Sequence, residues 1–114
     1  MYKHHIKYDE HELLEFFKEL PIFIGLEEAQ EFTYSSKGGN DVRIIFSASV
    51  YENRCKIGLY LHEGWIFETT IENVNAIRTH GDGLRICQSG HPNDYVIYNK
   101  PNFFIVTTDN ECIT

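Results

Sequence analysis

From Val42 to Thr70 the chain alternates apolar and polar residues with almost no interruption, and that period of two most restricts what it can fold into. Val42, Ile44, Phe46, Ala48 and Val50 alternate with Arg43, Ser47 and Ser49, with Ile45 as the exception. After Tyr51-Glu52-Asn53-Arg54 the pattern resumes as Cys55, Ile57, Leu59 and Leu61, and after Glu63-Gly64 as Trp65, Phe67 and Thr69. Successive side chains of a strand point to opposite faces, so such runs describe a sheet with one face buried. Breaks this short leave room only for turns, which makes neighbouring strands antiparallel.

Upstream, the signals change to a helix. Asp9 stands at an N-cap position, Glu12 lies three residues on where a capping box needs it, and Tyr8 and Leu13 occupy the positions of a hydrophobic staple. Leu13, Leu14, Phe16, Phe17 and Leu20 fall within an arc of about 160° at helical spacing, with His11, Glu15, Lys18 and Glu19 opposite. Pro21 disfavours helical geometry at the residue before it, so the expected helix spans Glu10 to Leu20. Tyr2 to Tyr8 reads as an edge strand and Ile22 to Gly25 as an apolar connector. Leu26 to Gln30 reads as a further helical turn, and Phe32 to Ser35 as a first meander strand. Lys37-Gly38-Gly39-Asn40-Asp41 is a hairpin loop. Beyond the central runs, Ile71 to Arg78 reads as a bent strand with a bulge and His80-Gly81-Asp82-Gly83 as a tight turn. A strand carrying Leu84 and Ile86 follows, with Arg85 facing out, and then strands at Tyr95–Tyr98 and Phe103–Thr108. The expected fold is α+β: one N-terminal amphipathic helix packed on the concave face of a strongly twisted antiparallel meander sheet of about six or seven strands.

With 114 residues there is material for one domain, spanning 1–114, and one core. The three cysteines, Cys55, Cys87 and Cys112, lack any paired spacing, and the N-terminal residues carry no apolar leader. These features point to free thiols in a reducing, cytoplasmic setting, with a pairing of two of them by the sheet topology left open. The apolar runs are too short to span a membrane. The net charge is −7, and the segment Asp9 to Glu31, with eight acids and one base, carries all of it. Such a surface repels phosphate and steers basic proteins, which disfavours direct nucleic-acid binding.

No residue pattern points firmly to catalysis. His4, His5 and His11 lie near Asp9 and Glu12, but the spacing is not that of ligands on one helical face, so no metal is expected. His62-Glu63 and His91-Pro92-Asn93-Asp94 pair a histidine with a carboxylate in turns, where polar residues occur for backbone reasons alone. Cys55 falls on the core face. His80-Gly81-Asp82-Gly83 lacks the lysine and the strand-to-helix setting of a phosphate loop. The abundance of Tyr and Trp on a small sheet suits either a protein interface or a second small core.

Small size, acidity, aromatic richness and the lack of catalytic motifs together resemble, in general character, the small acidic immunity proteins of bacterial toxin systems. The likeness is one of type, and no residue role is carried over from it. It implies a non-catalytic, cofactor-free inhibitor that occludes a basic partner, such as a nuclease toxin or another nucleic-acid enzyme. The residues expected to meet that partner are the acids Glu12, Glu15, Glu19, Glu27 and Glu28 and the aromatics Tyr60 and Trp65. Two other readings stay open at this point. One is an adaptor with a curled, pleckstrin-like sheet. The other is a ligand-binding protein or enzyme using a sheet cavity. The chain is expected to be a monomer, or a homodimer through an exposed sheet edge.

Overall fold

The computed structural model describes residues 5–23, 30–37, 41–62, 64–99 and 103–109. Helix α1 spans Glu10–Phe17. Its start is as expected: the Asp9 carboxylate accepts hydrogen bonds from the amides of His11 (2.8 Å) and Glu12 (3.4 Å). Its end comes earlier than Pro21 requires. Lys18 turns left-handed (φ 58°, ψ 29°) and its amide donates to the Leu14 carbonyl at 2.7 Å, while Asn99 donates to the Phe16 carbonyl at 2.8 Å. These two bonds satisfy carbonyls that a helix terminus leaves open. The turn also frees Ile22–Phe23 to form a short strand, β1, in place of the expected connector.

The strands divide into two sheets, which corrects the expected single sheet of six or seven strands. The first contains β1, β2 (Glu31–Lys37), β3 (Val42–Ser49), β4 (Arg54–Leu61) and β5 (Gly64–Ile71), in that order. The second contains β6 (Val74–His80), β7 (Gly83–Gln88), β8 (Asn93–Tyr98) and β9 (Phe104–Asp109), also in order. Within each sheet every strand pairs antiparallel with its sequence neighbour, as the short breaks dictate.

The split falls at Glu72-Asn73. Asn73 adopts φ 56°, and the corner is held by hydrogen bonds from both sheets. The Val74 amide donates to the Asn53 carbonyl at 2.8 Å, the Asn53 side chain returns a bond to the Val74 carbonyl at 3.0 Å, and the Gln88 side chain donates to the Glu72 carbonyl at 2.8 Å. The expected bulge is present, between Val74 and Ala76. Extended chain at Ile6–Lys7 spans the junction: Ile6 donates to the Val50 carbonyl (3.3 Å), and Lys7 forms a parallel bridge with Ala76.

Both sheets and the helix share one core. Ile44, Phe46 and Ile57 from the first sheet and Leu84, Ile86 and Ile97 from the second are fully buried, as are Leu13 and Phe17 of α1. Phe17 is the helix's main anchor, stacked on Tyr34 (centroids 5.0 Å) and Phe46 (5.6 Å). Of the expected apolar arc, Leu14 and Leu20 do not join the core; Leu20 lies beyond the helix and is 78% exposed.

Strand β7, in the interior of the second sheet, is buried on both faces, which overturns an outward Arg85. Arg85 pairs with Asp94 (Nε to Oδ2, 2.9 Å), and the other Asp94 oxygen accepts from the Gln88 amide at 3.1 Å. Two hydrogen-bonded donors on one carboxylate are what a buried charge requires. Cys55 is a free thiol with its pKa pushed up by burial, whereas Cys87 is disulfide-bonded. That disulfide corrects the expectation of free thiols throughout and is at odds with a reducing cytoplasm. Among the described residues no helix is long and apolar enough to cross a membrane.

Candidate functional site

The residues expected to meet a partner fall on two separate parts of the molecule. The first is α1. Glu15 and Glu19 are exposed, and Glu12 is half-buried because its carboxylate accepts from the Thr79 amide of β6 at 2.9 Å. Glu12 therefore ties the helix to the second sheet; it does not close the capping box. Its anchored carboxylate, with Glu15 and with Asp82 from the β6–β7 turn, lines an acidic cleft that contains Lys18. Glu27 and Glu28 lie outside the described residues.

The second part is the outer face of the first sheet. The alternation alone would set Trp65 beside Phe67 on the core face, whereas its expected partner role needs it outside; a bulge between Leu59 and Tyr60 shifts the β4–β5 register and turns it outward. The Trp65 indole lies over Gly58, where a Cβ would meet three of its ring atoms, and packs edge-on against Tyr60 (centroids 4.9 Å, 65°). This tryptophan is 54% exposed, and Ile66 and Phe67 beside it are also exposed. Tyr60 also borders a polar hollow with Lys37, Asp41, Arg43 and His62. Charges around this face are paired: Lys56 with Glu68 (3.6 Å) and Arg54 with Glu72 (3.1 Å). The aromatic pair thus sits on the face opposite the helix, and the fold does not merge the two sets into one surface.

Between α1 and the β1–β2 edge lies a groove that the sequence reading missed. Its floor is aromatic: Tyr8 and Phe32 have centroids 5.1 Å apart, Phe32 and Tyr34 5.6 Å, and Phe23 and Phe32 6.4 Å. Leu14 and Leu20 form its apolar walls, with Glu10 and His11 at the rim. Burial, and secondarily the Glu10 charge, raise the pKa values of the Tyr8 and Tyr34 phenols. The available signal was the arc itself. Four apolar positions on so short a helix are more than one buried stripe uses, and the surplus Leu14, joined by Leu20 beyond the helix, becomes groove wall.

Among the described residues His62, His80 and Cys55 are not brought together. His62 sits in a turn at φ 58°, and His80 lies 3.4 Å from an Arg85 nitrogen. The Cys55 thiol is enclosed and held protonated. Among the described residues no group of three or more His, Cys, Asp or Glu side chains is placed to hold a metal ion.

No family model matches the sequence, and no curated protein matches it. Among solved structures, the chain is similar to a chain of the contact-dependent growth inhibition toxin–immunity protein complex from Klebsiella pneumoniae 342. The TM-score is 0.77, over 93% of this chain and 98% of that chain, at 24% sequence identity. This likeness establishes a shared fold along nearly the whole of both chains.

Proposed function

We propose that this chain is an immunity-type inhibitor: a non-catalytic protein that binds a toxin partner with a basic surface and occludes it. The observation that carries the reading is the fold shared almost end to end with a chain of a toxin–immunity protein complex. That complex contains both kinds of protein, and the charge of this chain favours the inhibitor. All of its net charge of −7 is contained in Asp9–Glu31, and the described acids there include exposed Glu10, Glu15 and Glu19. A toxin that acts on nucleic acid carries a positive cleft, and an acidic surface reaches it by steered, salt-sensitive association. An enzyme reading has less support, because the candidate histidines and Cys55 form no nucleophile–base pair among the described residues. Action in the cytoplasm fits this class of target; the Cys87 disulfide is the observation against it.

The test starts by capturing partners on the purified chain from lysate of its native cells, at low and at high salt. The recovered protein is then produced alone and assayed for toxicity and for nuclease activity. The expected result is a basic protein that arrests growth when expressed alone and loses its activity stoichiometrically when the chain is added. Undiminished partner activity in the saturated complex would overturn the reading.

A further inference from the structure

We infer that the aromatic groove between α1 and β1–β2 is a docking site for a basic partner segment carrying one apolar anchor side chain. The inference deepens the inhibitor reading and rests on it for the partner's biological identity. Three observations point to this occupant.

The first is the composition of the groove. Its floor is a run of aromatic rings in mutual contact, Tyr8, Phe32, Tyr34 and Phe23. Interface anchors are characteristically aromatic or aliphatic groups seated in such pockets. The second is unpartnered apolar surface at the groove's edges: Leu14 is 39% exposed and Phe23 56%. Both sit on elements otherwise fixed in place, α1 by Phe17 in the core and β1 by its pairing with β2. Ordered neighbours reduce the side-chain freedom lost on binding.

The third is charge. Glu10 lines the groove, and its field is felt at the Tyr8 and Tyr34 phenols. Glu19 stands exposed on the turn that trails the helix, whereas Glu15 belongs to the separate cleft beside Glu12. The occupant's flanking residues must therefore be Lys or Arg, whose cations also gain from the ring faces below. An acidic segment would be repelled, and an uncharged one would leave the rim unmatched. Among the described residues the acidic cleft beside Glu12 has Phe16 as its one large apolar side chain and no aromatic floor of rings in mutual contact, and the charges around the Trp65 face are taken up in ion pairs, so neither matches both halves of such a ligand as the groove does.

The experiment uses the full chain and a labelled peptide, Lys-Arg-Phe-Leu-Arg-Lys. Two control peptides accompany it, one with Glu for every Lys and Arg, the other with Gly for Phe and Leu. Backbone amide shifts give the location, and fluorescence polarisation gives the affinity. The expected result is saturable binding of the first peptide that shifts His11, Leu14, Phe23 and Phe32. The Glu version should not bind, and the Gly version should bind at least about tenfold more weakly. Leu14→Ser and Phe23→Ser, each verified as folded by its amide spectrum, should weaken binding by about fivefold or more. Equal binding of the Gly version, or shifts centred on Tyr60 and Trp65, would overturn the proposal. The captured partner separates the two claims. If Leu14→Ser and Phe23→Ser inhibit it as well as the unaltered chain does, the groove proposal falls and the inhibitor reading stands. If the peptide binds in the groove while the partner's activity is untouched, the inhibitor reading falls and the groove stands.

Discussion

The same substitution, Gly→Ala, is expected to have opposite outcomes at two strand positions, because different neighbours fill the space above each glycine. A Cβ on Gly83 would lie 2.9 Å from Val96 Cγ1, 2.9 Å from Tyr98 Cε1 and 3.0 Å from the Ile97 carbonyl oxygen. Ordinary carbon contacts need about 3.5–4.0 Å, so each neighbour would have to retreat by roughly half an ångström or more. Val96 is 1% exposed, and Ile97 is paired with Leu84 across β7 and β8, so neither yields without disturbing the ladder. Overpacking of this kind costs about 1–3 kcal/mol, offset by about 0.4–1 kcal/mol from the less flexible unfolded chain. Three simultaneous contacts place Gly83→Ala in the upper half of the overpacking range, so the net loss is about 1–2.5 kcal/mol, which lowers a urea midpoint by about 1 M. At Gly58 the atoms in the way all belong to the Trp65 ring, two of them at 3.1 and 3.2 Å, and that ring is 54% exposed and free to swing outward. The indole gives up its contact with the sheet, but the unfolded-chain term offsets much of this, so Gly58→Ala should stay within about 1 kcal/mol of the parent. Trp65 is the sole tryptophan, so its emission reports the move directly and should shift to the red in Gly58→Ala alone. Urea unfolding followed by far-UV circular dichroism, with native-state fluorescence on the same samples, measures both. A neutral Gly83→Ala would refute the packing argument for the second sheet. Unchanged Trp65 emission in Gly58→Ala would refute the placement of the indole over Gly58.

Two further predictions concern α1 and the buried thiol. Glu15→Lys and Glu19→Lys should leave the unfolding free energy within about 0.5 kcal/mol of the parent, whereas Glu12→Lys should cost about 1–2 kcal/mol. The difference arises because only Glu12 accepts the Thr79 amide, and urea titration of the three variants checks it. For Cys55, burial raises the thiol pKa well above its ordinary value of 9.0 in the folded state. The unfolded chain therefore loses this proton first, so the contribution is fully present below pH 9 and stability falls as pH rises past it. Unfolding free energies across the alkaline range should be lower for the parent than for Cys55→Ala after each is referred to its own value at neutral pH. A parallel dependence in the two would remove Cys55 as the cause.

Whatever depends on neighbours along the chain is legible before the chain is folded. Asp9 caps α1 because its carboxylate reaches amides two and three residues away, and that bond needs no other part of the fold. The alternation through Val42–Val50 fixed which side of β3 is buried, because strand geometry alone sends successive side chains to opposite faces. Antiparallel pairing of sequence neighbours followed from turns too short for a crossover. The concentration of charge on the N-terminal third was likewise legible, as was the aromatic surplus, although neither said which surface they would form.

The other features depend on contacts made in the folded chain, because the controlling partner in each case lies far away in sequence. Glu12 was placed to close a capping box, but the Thr79 amide, 67 residues on, holds its carboxylate. Arg85 alternates as an outward residue, and Asp94 on the next strand keeps it buried. Trp65 continues the core pattern in sequence, yet one bulge across β4 and β5 reverses its face, and Gly58 leaves room for the ring. Asn53 and Gln88 divide one meander into two sheets by satisfying the backbone at the Glu72–Val74 corner. The groove is the fullest case. Tyr8, Leu14, Phe23 and Tyr34 come from four segments, and a period in the sequence describes the face of one element without saying which other element will stand beside it.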